Sequence, residues 1–341
     1  MEKILVTGGA GFIGSNFIFY MLRKHNDTQI VCYDNLTYAG CLRSLRSIIL
    51  SKDPNFRFVK GDITDAESVG RLMRTEQFDI VVNFAAQSHV DRAIKEPADF
   101  QTTNYVGTQV LLDAFNQYGI SRFHQVSTDE VYGSIPLDSD EAFTEDAPLK
   151  PGNPYAASKA AADMLCMSYY NTYGTPVTIS RSCNNYGPRQ FPEKLVPKII
   201  TSALHNEKVP LYGDGQNVRT WLFVEDHCRS IDRIIHDGKI GNIYNVDGTD
   251  DYANINLAQD ILQRMGKDPD EYIEFVEDRA GHDRRYSIDD TKLYDELGWE
   301  PEKDMDHGLN RTIDWYTRHT WWETIFDGTY KDTETELLKL V

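Results

Sequence analysis

"KILVTGGAGFIGS", residues 3–15, passes from an apolar, strand-length segment through a glycine turn into a helix-length amphipathic stretch. Gly8, Gly11 and Gly14 stand at G-x-x-G-x-x-G spacing in that turn. Lacking side chains, they allow a tight bend and close backbone approach to a pyrophosphate, which then rests at the positive end of the helix. Asp34 follows 20 residues beyond Gly14, closing the next strand candidate "QIVCY" (29–33). A carboxylate there binds a ribose 2′-hydroxyl and repels a 2′-phosphate, so the two features together read as a site for NAD rather than NADP. The bland alternative is a structural turn followed by a surface aspartate. Strand, turn and helix in immediate succession argue against it.

The same rhythm continues through "FRFVK" (56–60), "DIVVNFA" (79–85), "RFHQVS" (122–127) and "PVTIS" (176–180), with helical stretches beginning near Phe12, Ala66, Ala98 and Pro154. This alternation predicts an α/β fold, a Rossmann-like doubly wound parallel sheet. "GDI" (61–63) and "FAAQS" (84–88) fall at the same edge as the glycine turn, and Asp62 is placed to face an adenine. After Ser182 the chain turns polar and Pro-rich, and "RTWLFVEDH" is expected to return to the sheet. From about Gly248, helix, the strand "YIEFVED" and further helices predict a smaller mixed α/β lobe over the carboxyl edge. The expected division is a dinucleotide-binding domain over 1–183, rejoined by about 218–246, and a second lobe over 184–341. The last dozen residues are polar and are expected to be loose.

A chain of 341 residues accommodates such a domain with a smaller partner. The formal charge of -18 disfavours nucleic-acid and anionic-membrane partners, which need a basic face. Five scattered cysteines, none in a C-x-x-C pair, suggest neither disulfides nor zinc and fit a reducing cytoplasm. No run approaches a membrane span, and no H-E-x-x-H, G-x-S-x-G or Walker loop appears, so neither metal nor membrane is expected.

Two clusters carry chemistry. "YAASK" sets Tyr155 and Lys159 at i and i+4 on one helical face, with Pro154 suited to the first turn. A lysine cation beside a phenol favours phenolate, so the tyrosine can take a proton from a sugar hydroxyl as hydride departs. Among 19 tyrosines roughly one such spacing arises by accident; Tyr20 and Lys24, away from any strand's carboxyl end, are read as that accident. "STDE" (127–130) places Thr128, Asp129 and Glu130 together where a strand stops. Had the strand continued, the acids would face opposite ways. If it ends near Ser127, both face the cleft, and mutual repulsion pushes their pKa values apart. One then serves as base and the other as acid, as elimination of water next to a new ketone requires.

With these motifs in place, the chain resembles the extended short-chain dehydrogenase/reductases, specifically the nucleotide-sugar 4,6-dehydratases of the dTDP-glucose 4,6-dehydratase type. "VTGGAGFIGSNF", "YDNLTYAG", "FAAQSHVDRAI", "VSTDEVYGS", "PYAASKAAADML", "NNYGPRQFPEKL", "YGDGQNVR" and "DRAGHDRRY" carry the resemblance along most of the chain. It implies Tyr155 as base for oxidation at C4 with Lys159 beside it, Thr128 at the C4 oxygen, Asp129 as acid and Glu130 as base of elimination, and NAD that stays bound. For the cofactor it implies Phe12, Ile13, Asp34, Asn35, Leu36, Thr37, Asp62, Ile63, Phe84, Ala85, Ala86, Gln87, Ser88, Thr103, Tyr155, Lys159 and Asn185. For the nucleotide sugar it implies Ser88, Thr128, Asn184, Lys194, Leu195, Pro210, Leu211, Tyr212, Arg219, Asn254, Asp278, Arg279, Ala280, Gly281 and His282, with Tyr286 nearby. The family is usually a homodimer, and the stretches from Ala98 to Tyr118 and from Pro154 to Thr172 could supply a helical seam.

Gln87 and Thr220 depart from the "FAAES" and "RDWL" usual in bacterial dTDP-glucose enzymes, which bears on the nucleotide or sugar, UDP-glucose or another NDP-hexose included, rather than on the chemistry. A 4-epimerase would share NAD, Tyr155 and Lys159 but would not require the paired acids. A non-catalytic NAD-binding regulator would not require a complete set of acid, base and oxidant.

Overall fold

The computed structural model describes residues 1–278, 281–326 and 330–341. The described strands are β1 (Lys3–Thr7), β2 (Gln29–Asp34), β3 (Phe56–Lys60), β4 (Ile80–Asn83), β5 (Arg122–Thr128), β6 (Val177–Ser182), β7 (Asn184–Tyr186), β8 (Val209–Tyr212), β9 (Val218–Phe223), β10 (Asn242–Val246), β11 (Asp250–Ala253) and β12 (Ile273–Val276). The longer helices are α1 (Phe12–Lys24), α2 (Ala66–Glu76), α3 (Gly107–Tyr118), α4 (Pro154–Tyr173), α5 (Leu195–His205), α6 (Val224–Asp237), α7 (Asn254–Arg264), α8 (Met305–Arg318) and α9 (Tyr330–Leu338).

Alternation along β1 sets the layers. Ile4 and Val6 join one apolar cluster and Leu5 the other, all three fully buried. A strand buried on both faces belongs inside a parallel sheet covered by helices. The sheet has seven strands in the order β10-β6-β5-β4-β1-β2-β3, every neighbouring pair parallel. α1 and α6 cover one face through Phe17, Met21, Cys228 and Ile231; α2, α3 and α4 cover the other through Val69, Leu111, Phe115 and Cys166. Each large side chain buried this way contributes roughly 2 kcal/mol. From β1 the chain runs outward to β3, then crosses to β4 on the other side, so the β1–β4 boundary is the switch point where open α/β sheets bind ligands.

Two expectations are corrected. "RTWLFVEDH" does not rejoin the large sheet: β9 lies in a three-stranded sheet, antiparallel to β11 and parallel to β7. Its Trp221 and Phe223 bury against Tyr186 in the lobe core, with ring centroids 6.2 and 5.7 Å away. The return is made by α6 and by β10, which pairs with β6. The polar terminal stretch is helical rather than irregular. α9 forms there, and Leu337, 4% exposed, enters the core on the α1 face of the sheet. The lobe itself packs α5, α7 and α8 around Ile199, Leu257 and Leu309. Among the described residues no helix is long and apolar enough to cross a membrane.

Candidate active site

The turn after β1 is built for close approach. Gly8 has φ +66, and a Cβ there would stand 2.6 Å from the Ala85 amide nitrogen, so only glycine fits. Gly11 differs: its φ of -77 suits any residue, and an added Cβ would meet only the Gly8 carbonyl oxygen, at 3.1 Å. The space that Cβ would fill is the floor of a cleft of about 310 Å³ at the switch point. Asp34 closes β2 at the cleft wall, its Oδ2 accepting from the Ala10 amide (2.9 Å) and its Oδ1 from the Leu36 amide (2.7 Å). An open glycine cradle with a fixed carboxylate one strand away fits the pyrophosphate and ribose of a dinucleotide.

Every residue expected for the cofactor lines this cleft except Leu36. Leu36 sits in the left-handed region at φ 56 and packs against the core, because its amide is turned to cap Asp34. Of the residues expected for the nucleotide sugar, Ser88, Thr128, Asn184 and Lys194 line the cleft, and Lys194 Nζ donates to the Ser88 carbonyl at 2.7 Å. Leu195, Pro210, Leu211, Tyr212, Arg219, Asn254, Asp278, Gly281, His282 and Tyr286 lie outside its lining. Leu211 is core, the Tyr212 hydroxyl donates to Asp91 (3.1 Å), and His282 pairs with Asp278 at 2.6 Å. Arg219 stacks on Tyr286, 4.3 Å from its centroid, and donates to the Asp283 carbonyl at 2.7 Å. Arg279 and Ala280 lie outside the described residues.

β5 extends one residue further than expected, through Thr128, and a 3-10 turn over Asp129–Tyr132 follows. That turn breaks the alternation, and Thr128, Asp129 and Glu130 all line the cleft. The Thr128 hydroxyl donates to Asp129 Oδ1 at 3.2 Å, while the Glu130 amide donates back to Thr128 Oγ1 at 3.3 Å. Burial holds Asp129 well above the ordinary carboxylate range, helped by the charges of Glu130 and Asp247 and opposed by Arg219. The two acids are thus unequal: Asp129 is 3% exposed, and Glu130 only partly buried.

Tyr155 opens α4. Asn153 caps this helix, its Oδ1 accepting from the Ala156 amide (2.9 Å), and its Nδ2 donates to Glu130 Oε2 (3.2 Å). Burial raises the Tyr155 phenol above its usual value, the Glu130 and Asp129 charges add to that, and only the Thr128 hydroxyl acts against them. The expected lowering by lysine is therefore corrected: Lys159 spends its cation on the Val126 carbonyl, at 2.7 Å. At the accidental pair, by contrast, Lys24 does reach the Tyr20 hydroxyl (2.8 Å), yet burial still pushes that phenol up to about 12.

Sequence reasoning missed the frame that holds these groups. Arg181, on β6, donates from Nε to Asp163 of α4 (2.9 Å) and from Nη1 to the Tyr132 hydroxyl (2.9 Å) of the acid-bearing turn. Tyr132 donates in turn to Asn245 of β10 (2.8 Å). One buried guanidinium thereby locks the helix carrying the phenol to the turn carrying the acids. Asn153 was readable as the residue before Pro154; nothing local announces Arg181.

The family model described as GDP-mannose 4,6 dehydratase matches residues 5–312. The Haloferax volcanii low-salt glycan biosynthesis protein Agl12 is 51% identical, over 92% of this chain and 98% of its own. A dTDP-glucose 4,6-dehydratase from Xanthomonas campestris is 47% identical, over 97% of this chain and 98% of its own. The crystal structure of a dTDP-glucose 4,6-dehydratase from Bacillus anthracis in complex with NAD superposes with a TM-score of 0.88 at 44% identity, covering 95% of this chain and 100% of that one. Since the glycine turn, the paired acids and the phenol all fall inside the matched span, this chain belongs to the GDP-mannose 4,6 dehydratase family, among the nucleotide-sugar dehydratases of the dTDP-glucose 4,6-dehydratase type.

Proposed function

We propose that this chain is an NAD-dependent dTDP-glucose 4,6-dehydratase, a hydro-lyase giving the 4-keto-6-deoxy sugar. The observation that carries the reading is the buried Asp129, its carboxyl held above the ordinary range, beside the less buried Glu130 in the cleft shared with the glycine cradle and Tyr155. A 4-epimerase has no use for that pair.

When bound, NAD accepts hydride from C4 and returns it to C6. Tyr155 takes the proton of the C4 hydroxyl, with Thr128 holding that oxygen; burial and the neighbouring acids work against the phenolate this needs, and the positive nicotinamide of NAD would offset them when bound. The resulting ketone acidifies C5–H, which Glu130 removes, while Asp129 gives its proton to the C6 oxygen so that it leaves as water. After C6 is reduced, a proton restored at C5 completes the product. At that point Tyr155 holds one proton more than at the start and Asp129 one fewer. The Thr128 hydroxyl, already donating to Asp129, stands between them. Gln87 is half-buried at the cleft and its backbone bonds Asn104, while Thr220 donates to Asp251 at 2.6 Å. Neither departure enters the acid–base set.

The test offers dTDP-glucose, UDP-glucose, CDP-glucose and UDP-N-acetylglucosamine in parallel and follows products by mass spectrometry. A product one water lighter from dTDP-glucose is expected; turnover of UDP-glucose alone would move the assignment to that nucleotide. The homodimer belongs to the same reading, supported by exposed apolar side chains on α4, Met164 and Tyr173, and by Val106 in the helical turn just before α3. Light scattering at micromolar concentration should give a dimer's mass, and a monomer would refute it.

A further inference from the structure

We infer that Glu334, on α9, is a positioning residue for the dinucleotide, bracing from behind the loop that walls the adenosine end of the cleft. The inference rests on reading that cleft as the NAD site. Beyond Asp34 the wall consists of an irregular loop from which Asn35, Thr37, Tyr38, Ala39 and Gly40 line the cleft. The exit of this loop is tied on two sides. Facing the cradle, the Cys41 amide donates to the Ala10 carbonyl at 3.0 Å. Behind it, Glu334 spends both oxygens: Oε1 accepts from Cys41 Sγ (3.0 Å) and Oε2 from the Leu42 amide (3.1 Å).

Glu334 is 8% exposed and Cys41 4%. A carboxylate withdrawn from water at a thiol and a backbone amide is an expensive way to fasten a helix whose Leu337 already packs in a core cluster with Leu42 and Leu45. What it fixes is the loop. The loop has little slack toward the acid that reads the ribose, since a Cβ on Gly40 would fall 2.7 Å from Asp34 Oδ1. Movement at Cys41 and Leu42 therefore passes through Gly40 to Asp34. The reacting groups at Asp129, Glu130 and Tyr155 ride on β5, its following turn and α4, which this brace does not touch. Loosening it should weaken cofactor retention and leave the chemical step alone.

The test uses the full chain with Glu334→Ala, Glu334→Gln, Cys41→Ser and Cys41→Ala. NAD carried through gel filtration is quantified, its dissociation is followed by exchange against labelled NAD, kcat is measured at saturating NAD, and Cys41 is probed by alkylation. Glu334→Ala should release NAD at least ~10-fold faster, keep kcat within about twofold once saturated, and expose Cys41 to alkylation. Glu334→Gln, which retains one acceptor and so folds if the alanine variant does not, should show the same effects at smaller size. Cys41→Ser keeps a donor and should match wild type, whereas Cys41→Ala should follow Glu334→Ala. NAD dissociation within about twofold of wild type in both Glu334 variants would overturn the inference, as would a kcat loss that saturating NAD does not restore. A wild-type chain that holds NAD but dehydrates no nucleotide hexose would refute the proposed function and leave this inference to the dissociation rates.

Discussion

Replacing Glu130 with glutamine should separate oxidation from elimination. Glutamine keeps the length and one acceptor oxygen, so the contact from Asn153 Nδ2 at 3.2 Å survives, and the Glu130 amide that donates to Thr128 Oγ1 is backbone. One charge-assisted hydrogen bond becomes neutral, a loss of about 1 kcal/mol, which lowers the melting temperature of a chain this size by only about 1–2 °C. Loss of the base at C5 costs far more, ~10²–10⁴-fold in rate or about 3–5 kcal/mol at the transition state. Burial, the largest of the influences that raise Asp129, is unchanged by the substitution, although the push from its neighbour disappears. The variant should therefore oxidise C4 and stall, accumulating the near-ultraviolet absorbance of NADH. Run in deuterium oxide, recovered sugar should carry no deuterium at C5 by mass spectrometry. Exchange at C5 at the wild-type rate, in a variant with near-wild-type melting, would refute the assignment of the base.

Other expectations follow from the same geometry. The folded state holds Asp129 above its unfolded value of 3.8, so above pH 3.8 folding must take up a proton or bury a charge. Asp129→Asn should thus match or exceed the wild-type melting temperature at about pH 8, with the difference gone below pH 3.8, while dehydration falls ~10²–10⁴-fold; a large loss of stability near neutrality would contradict this. His236, bonded to Asp232 and Glu2, is raised from 6.5 to about 10. Its contribution is full below pH 6.5 and is lost as pH rises through 10, so the melting gap between wild type and His236→Gln should narrow along that path. Gly11→Ala needs no left-handed φ, and its Cβ meets only the Gly8 carbonyl oxygen, which must give by a few tenths of an ångström. Its melting temperature should hold while NAD affinity, by calorimetry, drops at least tenfold, about 1.4 kcal/mol; unchanged affinity would place the pyrophosphate elsewhere.

The parts legible in the sequence are those whose physics is local. The glycine spacing fixes the turn after β1, and Asp34 falls one strand later because a βαβ unit has a nearly constant length. Thr128 ends β5 as anticipated to within one residue, so both acids were correctly placed at the cleft. The upward shift of Asp129 was not legible, since it depends on burial and on Asp247 and Arg219, which arrive from the end of β10 and from β9. The effect of Lys159 was misjudged for a related reason: i, i+4 spacing shows that a lysine can reach a tyrosine, not that a carbonyl such as that of Val126 will take the cation first. β9 reads like any buried strand, and sheet membership is decided by its partners β7 and β11. In the terminal helix, among the described side chains, Glu334, Leu337 and Leu338 face the core, too few apolar positions to register against a polar background.

Arg181 has one further consequence. It is shared between Asp163 and Tyr132, nearly without solvent contact, and none of the three lines the cleft. Losing a partner from such a buried charge costs about 3–5 kcal/mol out of a total of roughly 5–15. These three positions can therefore be exchanged without that cost only in concert. The geometry of the reaction is thus guarded by side chains that no substrate ever meets.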